Sequence, residues 1–251
     1  MKIQYCSDLH LEFPENKQYI IQNPIVPKAD VLIMAGDIMP FAGIDRHKDF
    51  INYISDHFKL VFWLPGNHEY YYSDINDRTG VLDEKIRDNV FLVNNIVKEV
   101  SEVGLLFSTL WSRISPEKQS LIQQSMSDFK IIKNHQGLFT PDYYNVLHKE
   151  SLQFLQDAII RLNTTRNIVV THHVPTFINY PEKYVKSKIN EGFVTNLTDF
   201  IEQSNIDYWM FGHHHFNVDD FKIGNTKLIT NQLGYVKYNE NDKFSNKIIN
   251  L

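Results

Sequence analysis

Five short motifs in this sequence contain side chains that could bind metal ions. In chain order they read SDLH, GDIM, GNHE, THH and GHHH, and the last one ends in three consecutive histidines, His213, His214 and His215. Carboxylate oxygens and imidazole nitrogens without thiolates are donors that suit Mn, Fe, Zn or Co in catalytic sites, whereas closed structural zinc sites usually recruit cysteine. The motifs therefore predict a catalytic metal centre with mixed oxygen and nitrogen ligands.

Each motif directly follows an apolar run whose length is typical of a buried β-strand. The five runs are KIQYC, DVLIMA, KLVFWLP, NIVV and DYWMF. The carboxyl ends of the strands in an open α/β sheet meet at one edge, where side chains from distant parts of the chain converge. A lone histidine is more often a hydrogen-bonded core or surface residue, but five separate placements favour one shared site.

Helical patterns separate several of these runs, so the chain reads as an α/β protein. Apolar positions three and four apart occur over residues 46–57, 143–162 and 196–203, which indicates helices. Residues 103–111 resemble another core strand, and residues 220–235 read as strands joined by the turn at Gly224 and Asn225. Residues 112–144 are polar and irregular, which predicts a helical cap. We expect residues 1–251 to form a single domain with this cap.

Composition restricts the partners and the compartment. The formal net charge of −5 argues against a long nucleic acid, because proteins that bind duplexes usually present a basic face. Every apolar run is shorter than the roughly 18–20 residues that cross a bilayer, and the first residues do not resemble an export signal. We therefore expect a cytoplasmic protein with no membrane partner. A small phosphorylated substrate is compatible with the acidic charge, since metals can hold a phosphate on an acidic protein; the oligomeric state does not follow from the sequence.

Taken together, the motifs resemble the five-motif signature of the calcineurin-like metallophosphoesterases, in the order and spacing of that family. The resemblance is carried by Asp8-x-His10, Gly36-Asp37, Gly66-Asn67-His68-Glu69, a histidine in THH, and Gly212-His213-x-His215. It implies an α/β fold with four layers, α/β/β/α, in which two mixed sheets face each other and a dinuclear metal site lies at the strand ends. The tail strands fit the second sheet.

The resemblance also implies a role for each motif residue. One divalent metal would be held by Asp8, His10, Asp37 and His215, and the other by Asp37, Asn67, His172 and His213. His68 would stay unligated and act as the catalytic acid or stabilise charge near the scissile phosphate. The implied cofactors are two ions of Mn, Fe, Zn or Co, with Mn favoured in vitro, and the implied nucleophile is a hydroxide that bridges them.

Several assignments beside these are predictions about the substrate. His172 is preferred to His173 as the ligand, because the family's ligand directly follows the strand, and His173 is then expected at the rim. His214 points away from its neighbours in an extended backbone and could bind phosphate. Tyr70, Tyr71 and Tyr72 could form a wall for a nucleobase or an aromatic leaving group, although packing against the cap is the alternative.

The segment GDIMPFAG departs from the protein phosphatases of the resembled family, which follow Gly-Asp with Val-Asp-Arg-Gly. The chain instead resembles the small bacterial phosphoesterases, which implies hydrolysis of a phosphomonoester or phosphodiester, with a slight preference for a diester of a small nucleotide. Two alternatives are a scaffold of the same fold without catalysis and a nuclease that acts on longer chains. A scaffold would commonly lack some ligands or the histidine equivalent to His68.

Overall fold

The computed structural model, which describes residues 1–135 and 137–251, contains two six-stranded sheets and a two-stranded ribbon. In chain order the strands are β1 (Lys2–Cys6), β2 (Val31–Ala35), β3 (Leu60–Leu64), β4 (Leu82–Arg87), β5 (Val90–Asn94), β6 (Ile96–Val100), β7 (Val103–Ser108), β8 (Lys133–Asn134), β9 (Gly137–Leu138), β10 (Arg166–Thr171), β11 (Tyr208–Met210), β12 (Phe221–Ile223), β13 (Thr226–Ile229) and β14 (Ile248–Asn250).

Each large sheet has four parallel strands in its centre and an antiparallel strand at each edge. The first sheet has the order β14-β1-β2-β3-β5-β4, and the second has the order β12-β13-β11-β10-β7-β6. The five apolar runs become β1, β2, β3, β10 and β11, all of them central and parallel. This placement confirms the predicted convergence, because the carboxyl ends of these strands carry the five motifs to one rim.

Helices cover the outer faces of the two sheets. The α-helices are α1 (Pro14–Gln22), α2 (Lys48–His57), α3 (Gln119–Ser125), α4 (Asp128–Ile131), α5 (Pro141–Arg161), α6 (Glu182–Val185) and α7 (Thr198–Gln203). Short 3₁₀ turns span Phe41–His47, His68–Tyr70, Ile75–Asp77, Asn190–Gly192 and Val236–Tyr238. Helix α5 begins two residues before its apolar pattern, because Pro141 occupies the first turn and Thr140 Oγ1 accepts from the Tyr143 backbone amide at 3.3 Å.

Alternate residues of each central strand point to opposite cores. Ile33 and Phe62 of the first sheet face Leu105 and Ile168 of the second in one apolar cluster, and Phe62 meets Phe107 with ring centroids 5.1 Å apart. The intervening residues pack outward, as Trp63 does beneath α2 and its neighbours. Burying each such side chain contributes roughly 1.5–3 kcal/mol. The predicted four-layer α/β/β/α sandwich is confirmed.

The predicted cap at residues 112–144 forms α3, α4 and the β8–β9 ribbon and then enters α5, so its end falls inside that helix. Gln136 of this segment lies outside the described residues. Ile122, Phe129 and Phe139 are buried in the same cluster as Trp111, so the segment packs onto the first sheet's outer core. The division into one domain with a cap stays a prediction. Among the described residues, no helix has the length and apolarity needed to span a membrane.

Candidate metal centre

All seven predicted metal ligands lie just beyond the carboxyl ends of central strands. Asp8 and His10 follow β1, Asp37 follows β2, Asn67 follows β3, His172 follows β10, and His213 and His215 follow β11. Six of them are buried and His215 is partly buried. Burial of this many polar groups without a partner would be costly, so the site must be satisfied by its own members or by a ligand.

The first group of donors consists of Asp8, His10, Asp37 and His215, whose candidate ligand atoms lie within 4.8 Å of one another. His10 Nε2 lies 2.8 Å from His215 Nε2, and Asp8 Oδ1 lies 3.4 Å from His215 Nε2. His10 Nε2 is also 3.7 Å from Asp37 Oδ2. The four side chains therefore point their donor atoms at one common point.

A second group adjoins the first and shares Asp37 with it. His172 Nε2 lies 3.3 Å from Asp37 Oδ2, 3.2 Å from Asn67 Oδ1 and 3.1 Å from His213 Nδ1. Asp37, His172 and His213 again place their candidate ligand atoms within 4.8 Å of one another. The structure thus brings together the two sets of residues that the sequence resemblance implied, with Asp37 between them.

Three imidazoles of the centre have the tautomer that can bind a metal through Nε2. His215 Nδ1 lies 2.9 Å from Glu240 Oε2, His172 Nδ1 lies 2.9 Å from the Ala35 carbonyl oxygen, and His10 Nδ1 lies 3.3 Å from Glu12 Oε1. An acceptor at Nδ1 assigns the ring proton to that nitrogen and leaves Nε2 as a lone pair. The three bare Nε2 atoms all face a carboxylate, Asp37 for His10 and His172 and Asp8 for His215, and such facing lone pairs require a cation or a proton between them.

The carboxylates also favour positive charge at this place. Burial disfavours the charged form of His172, but Asp37 and then Asp8 outweigh it and raise the pKa of His172 to about 9. Burial opposes the charge on His215 as well, yet its bonds to Asp8 and Glu240 raise the pKa of His215 to about 10. A divalent cation bound by neutral imidazoles would take the place of these protons.

Left-handed backbone conformations turn the motif residues back toward the centre. Five predicted ligands have positive φ: Asp8 at 56°, His10 at 46°, Asp37 at 56°, His213 at 80° and His215 at 50°. Such conformations are uncommon for residues other than glycine, and each costs about 1–3 kcal/mol. Their concentration at one rim indicates that the fold bears strain to hold these side chains in place.

Gly66 and Gly212 let the loops approach the ligands closely. A Cβ at residue 66 would fall 2.6 Å from His172 Nε2 and closer still to Asp37 Oδ1, and a Cβ at residue 212 would fall 2.6 Å from Asp8 Oδ2. Carbon atoms do not come so near to buried polar atoms, so a side chain at either position would displace a ligand. The glycines of these two motifs are therefore required by the close approach itself.

His68, the predicted catalytic residue, lies beside the centre and outside both groups that share Asp37. Its ring centroid is 4.4 Å from that of His10, and its Nδ1 lies 2.8 Å from Glu12 Oε1. Tyr71 stacks on it at 4.1 Å. Burial disfavours the imidazolium, but Asp37 and Glu12 raise the pKa of His68 above its ordinary value. Glu12 was not predicted as a site residue, although it stands only two residues after His10.

Glu69 holds the loops that carry Asp37 and Asn67. Its carboxylate accepts from the backbone amides of Asp37 at 2.9 Å, Ile38 at 2.6 Å and Gly66 at 2.6 Å, and from Trp63 Nε1 at 3.0 Å. Burial and the neighbouring Asp37 carboxylate raise the pKa of Glu69 to about 7. The residue belongs to the third motif, GNHE, and its role is to fix the geometry of two strand ends.

Asp128 of α4 orients the amide of Asn67. Asp128 Oδ1 accepts from Asn67 Nδ2 at 2.9 Å and from the Tyr71 hydroxyl at 2.8 Å. Because the carboxylate takes the amide's NH₂ group, Asn67 Oδ1 is left to face His172 and the second group. No motif in the sequence marked Asp128, which lies 61 residues from Asn67 in a segment read as a cap.

The three tyrosines after the third motif have different surroundings. Tyr70 is 1% exposed and packs against Phe41 and Trp111, which agrees with the packing alternative and not with a wall for the substrate. Tyr71 is buried and lines the cleft, where it stacks on His68. Tyr72 is 67% exposed. The run has no common face because a 3₁₀ turn at His68–Tyr70 and the positive φ of Tyr72, 65°, rotate the three side chains apart.

The two extra histidines also separate. His173 is fully buried: its Nδ1 lies 3.2 Å from the Thr109 carbonyl oxygen and its ring packs on Trp111 and His213. His173 packs against His213 of the second group on the side away from solvent, so the expected position of His173 at the rim is wrong. His214 does line the cleft, with Gln232 Nε2 2.9 Å from its Nδ1. Burial lowers the pKa of His214 to about 4, so its ring is neutral at neutral pH; its contact with a phosphate stays a prediction.

A cleft of about 380 Å³ opens over this centre. Asp37, Asn67 and His213 lie in its floor, and its walls include Tyr180, Phe193 and other apolar or aromatic side chains, namely Met126, Tyr184 and Ile189. A cavity of this size suits a small organic ligand. The centre is therefore accessible through a cleft whose floor is polar and whose walls are largely apolar or aromatic.

Comparisons with known proteins agree with this geometry. The family described as calcineurin-like phosphoesterase matches residues 1–217. An uncharacterized protein of Acanthamoeba polyphaga mimivirus is 32% identical over 265 residues, which cover 93% of this chain and 91% of the viral protein. A phosphopantetheinyl hydrolase from Mycobacterium tuberculosis has a TM-score of 0.69 at 17% identity and covers 100% of this chain and 95% of its own. A dimetal phosphatase from Danio rerio has a TM-score of 0.51 at 14% identity, with 92% and 87% covered. At such identities the two structures establish a common fold alone.

Proposed function

This chain belongs to the calcineurin-like phosphoesterase family, and from that premise we propose that it hydrolyses a phosphoester bond of a small phosphorylated substrate with the help of two divalent metal ions. The observation that carries the proposal is the convergence of the motif side chains into two groups that share Asp37. A carboxylate that lies between two sets of oxygen and nitrogen donors is the arrangement that would hold two cations close together.

The residues divide between the two ions as follows in this proposal. Asp8, His10, Asp37 and His215 would hold one ion, and Asp37, Asn67, His172 and His213 would hold the other. The donors are oxygens and imidazole nitrogens, which suit Mn, Fe, Zn or Co, and Mn is the first choice for assays in vitro. When bound, two such ions supply Lewis acidity to the phosphoryl oxygens and make water acidic enough to attack near neutral pH.

His68 acts as the general acid in the proposed reaction. Glu12 occupies its Nδ1, so Nε2 is the nitrogen that can meet a substrate, and the Tyr235 hydroxyl lies 3.4 Å from that atom. Water oxygen bonds to phosphorus while the bond from phosphorus to the leaving oxygen breaks. The leaving oxygen keeps the electron pair and takes the proton from His68, which recovers a proton from solvent as the attacking water loses one.

The cleft supports a small substrate with an organic substituent. Tyr70 cannot supply the stacking surface that first favoured a nucleotide, but Tyr180, Tyr184 and Phe193 line the cleft and can do so. The net charge of −5 disfavours a long polyanion. We therefore keep a small diester, for example of a nucleotide, as the preferred substrate class, and a phosphopantetheinyl ester enters the substrate panel because of the Mycobacterium neighbour.

Hydrolysis by the Mn-loaded protein tests the proposal, with His68→Ala as the decisive variant. We expect the wild-type chain to cleave aryl and alkyl phosphate esters. His68→Ala should keep its metals and lose roughly 10²- to 10⁴-fold in turnover. The loss should be smaller for a nitrophenyl ester than for an alkyl ester, because nitrophenolate leaves without protonation. Metal content and turnover are measured on the same preparation.

His57→Gln is the matched control, since His57 is an exposed histidine on α2. A wild-type protein that binds two ions but cleaves no ester would support a scaffold and refute hydrolysis. Equal losses on both esters would assign His68 to charge stabilisation and remove it from acid catalysis. Full activity of His68→Ala would exclude His68 from the reaction.

A further inference from the structure

A second cleft, of about 720 Å³, opens on the other side of His68. Four residues line both clefts, namely His68, Tyr71, Ser127 and Tyr235, and none of the seven predicted metal ligands lines the second one. His68 therefore stands at the junction between the cleft above the metal centre and a space that extends away from it. We call this second space the outer cleft.

The outer cleft contains two cations that are not neutralised by neighbouring carboxylates. Lys17 and Arg46 both line it, and within the described part of the chain neither forms a salt bridge. Lys17 Nζ donates to the Arg46 carbonyl oxygen at 3.2 Å, which ties the two residues together. Lys48, two positions further on, pairs instead with Asp45 at 2.9 Å. The outer cleft thus carries unpaired positive charge, although the chain as a whole is acidic.

The other polar groups of the outer cleft do not cancel this charge. Glu12 also lines it; its Oε1 lies 2.8 Å from His68 Nδ1 and 3.3 Å from His10 Nδ1, while its Oε2 has no hydrogen-bond partner among the described residues, so its charge is directed to these two imidazoles. His47 lines the cleft, is 7% exposed, and leaves its Nδ1 without a hydrogen-bond partner among the described residues. Such a buried unpartnered nitrogen is uncommon, and a bound water, ion or ligand group is one way in which it can be satisfied.

Apolar surface accompanies the cations. Phe13, 38% exposed, and Tyr72, 67% exposed, line the same cleft. Large aromatic side chains at this degree of exposure offer a face on which a planar or apolar group can pack. A ligand that matches the outer cleft therefore combines an organic body with at least one negatively charged group.

We infer that the outer cleft holds the leaving group of a phosphodiester and that Lys17 and Arg46 bind an anionic group, a carboxylate or a phosphate, carried by that leaving group. This inference rests on the proposed function. A general acid at His68 must lie within hydrogen-bond distance of the leaving oxygen, so the space beyond His68 is on the leaving-group side. A monoester has one organic substituent, whereas two clefts that meet at His68 accommodate two.

In this reaction water adds to phosphorus and the bond to the anionic leaving group breaks. The leaving oxygen keeps the bonding electron pair and takes a proton from His68, so the products are a phosphomonoester in the first cleft and an alcohol or phenol in the outer cleft. Lys17 and Arg46 touch only the distant anionic group. They are residues that determine specificity, and their effect must depend on whether that group is present.

A matched pair of esters isolates this effect. Ethyl 4-nitrophenyl phosphate and ethyl 3-carboxy-4-nitrophenyl phosphate differ by one carboxylate on the leaving group, and alkaline hydrolysis without protein corrects for their intrinsic reactivity. We expect the wild-type protein to favour the carboxylated ester in kcat/KM by roughly ten-fold, the combined effect of two exposed charge pairs. In the Lys17→Ala/Arg46→Ala double variant the ratio should fall to about one, and added salt should shrink it in the wild type.

The ratio is measured within each variant, so partial loss of fold or metal cancels. Lys48→Ala removes a neighbouring charge outside the cleft and should keep the wild-type ratio. A third ester with a phosphonate in place of the carboxylate distinguishes the two anions, since a larger preference for the phosphonate assigns a phosphate-bearing leaving group. Calorimetric binding of the free phenol, 5-hydroxy-2-nitrobenzoate, gives a readout without turnover, and the double variant should bind it roughly ten-fold more weakly.

Two negative results have different meanings. If the wild type hydrolyses both esters with equal corrected kcat/KM, and the double variant binds the phenol as the wild type does, the inference about the outer cleft is wrong and the proposed function stands. If the Mn-loaded protein hydrolyses aryl or alkyl phosphomonoesters but neither diester, the inference is wrong and the proposed function stands. If it hydrolyses no phosphate ester at all, both the proposed function and the inference fail.

Discussion

Among single residues, Glu12 connects the metal centre to the proposed acid. One oxygen, Oε1, lies 2.8 Å from His68 Nδ1 and 3.3 Å from His10 Nδ1. Burial alone would raise the pKa of Glu12, but its hydrogen bonds to His10 and His68 lower it to about 2. Glu12 is therefore ionised at neutral pH, and it orients both rings through their Nδ1 atoms.

Glu12→Gln should narrow the pH range in which the protein is active, because activity at alkaline pH should be lost at a lower pH than in the wild type. Burial disfavours charged His68, while Asp37 and Glu12 raise its pKa. Because cations bound at Asp37 offset that carboxylate, Glu12 is left as the main support of the proton on His68. The substitution should move the basic limb of the kcat/KM profile to lower pH and reduce kcat for an alkyl ester by roughly 10²-fold, with two metals retained.

Glu15→Gln serves as the control, because Glu15 is an exposed carboxylate on the same stretch of chain. The pH profile separates a positioning role from a structural one, since a destabilised protein would lose amplitude at every pH without moving the limb. An unchanged limb in Glu12→Gln would refute the role of Glu12.

The residues that could be predicted are those with a fixed relation to a strand end. Asp8, Asp37 and His172 each directly follow an apolar run. Because the carboxyl ends of the strands meet at one rim, the sequence predicts that these three residues lie close together. Glu240 and Asp128 could not be found in this way, because a carboxylate that hydrogen-bonds to a ligand's far side can come from any loop that reaches it. Glu240 lies 25 residues from His215, in a stretch with no apolar period.

At the scale of elements, the short helix α4 places Asp128 over the third motif. Removing that carboxylate in Asp128→Ala should free the Asn67 amide to rotate and lower the affinity for the ion held with His172 and His213 by roughly 10- to 100-fold. The site around Asp8 and His10 should be little affected. Stepwise metal binding by calorimetry measures the two affinities separately.

Asp128→Asn and Asp219→Ala complete this experiment. Asparagine at position 128 keeps an acceptor oxygen and should retain part of the affinity, whereas Asp219 is an exposed carboxylate far along the chain whose removal should have no effect. Equal weakening of both metal sites in Asp128→Ala would point to general loosening of the fold and against an orienting role.

Elements were predictable where both of their faces are buried. The central strands β1, β2 and β3 read as continuous apolar runs, whereas edge strand β4, LDEKIR, alternates half-buried and exposed residues and carries charges. The sequence pattern also missed β14, three residues at the other edge, and α1, PENKQYIIQ, in which only Asn16 and Ile20 are buried. A helix or strand that buries so little surface leaves a weak period, and tertiary contacts decide its conformation.

Considered as a whole, the molecule uses the centre to join its two sheets. Asp8, His10, Asp37 and Asn67 come from the first sheet, and the second supplies the other three, His172, His213 and His215. Ions bound between the sheets would cross-link them at one rim, and ligands that bind only the folded state stabilise it by mass action. Mn at about 100 times its dissociation constant contributes about 2.7 kcal/mol, which is about 5–10 °C in Tm for a chain of this size.

The gain in Tm on adding Mn should grow with pH. The pKa values of His172, about 9, and His215, about 10, lie above the pKa of a histidine in the unfolded chain, about 6.5. In the metal-free protein these raised values stabilise the fold below about pH 6.5, and that contribution is lost as pH rises through 9 and then 10. Metal binding requires neutral imidazoles, so rising pH weakens the metal-free fold and strengthens metal binding together.

Calorimetric scans at several pH values, with Mn and with a chelator, should therefore show two curves that diverge from about pH 6.5 upward. Titration of Mn in buffers of different ionisation enthalpy should show proton release near neutral pH, because His172 and His215 give up their protons to the ions. His57→Gln should leave both results unchanged, since that exposed ring lies outside the centre. A constant gap between the curves, or Mn binding without proton release, would mean that these two imidazoles do not carry protons in the metal-free centre.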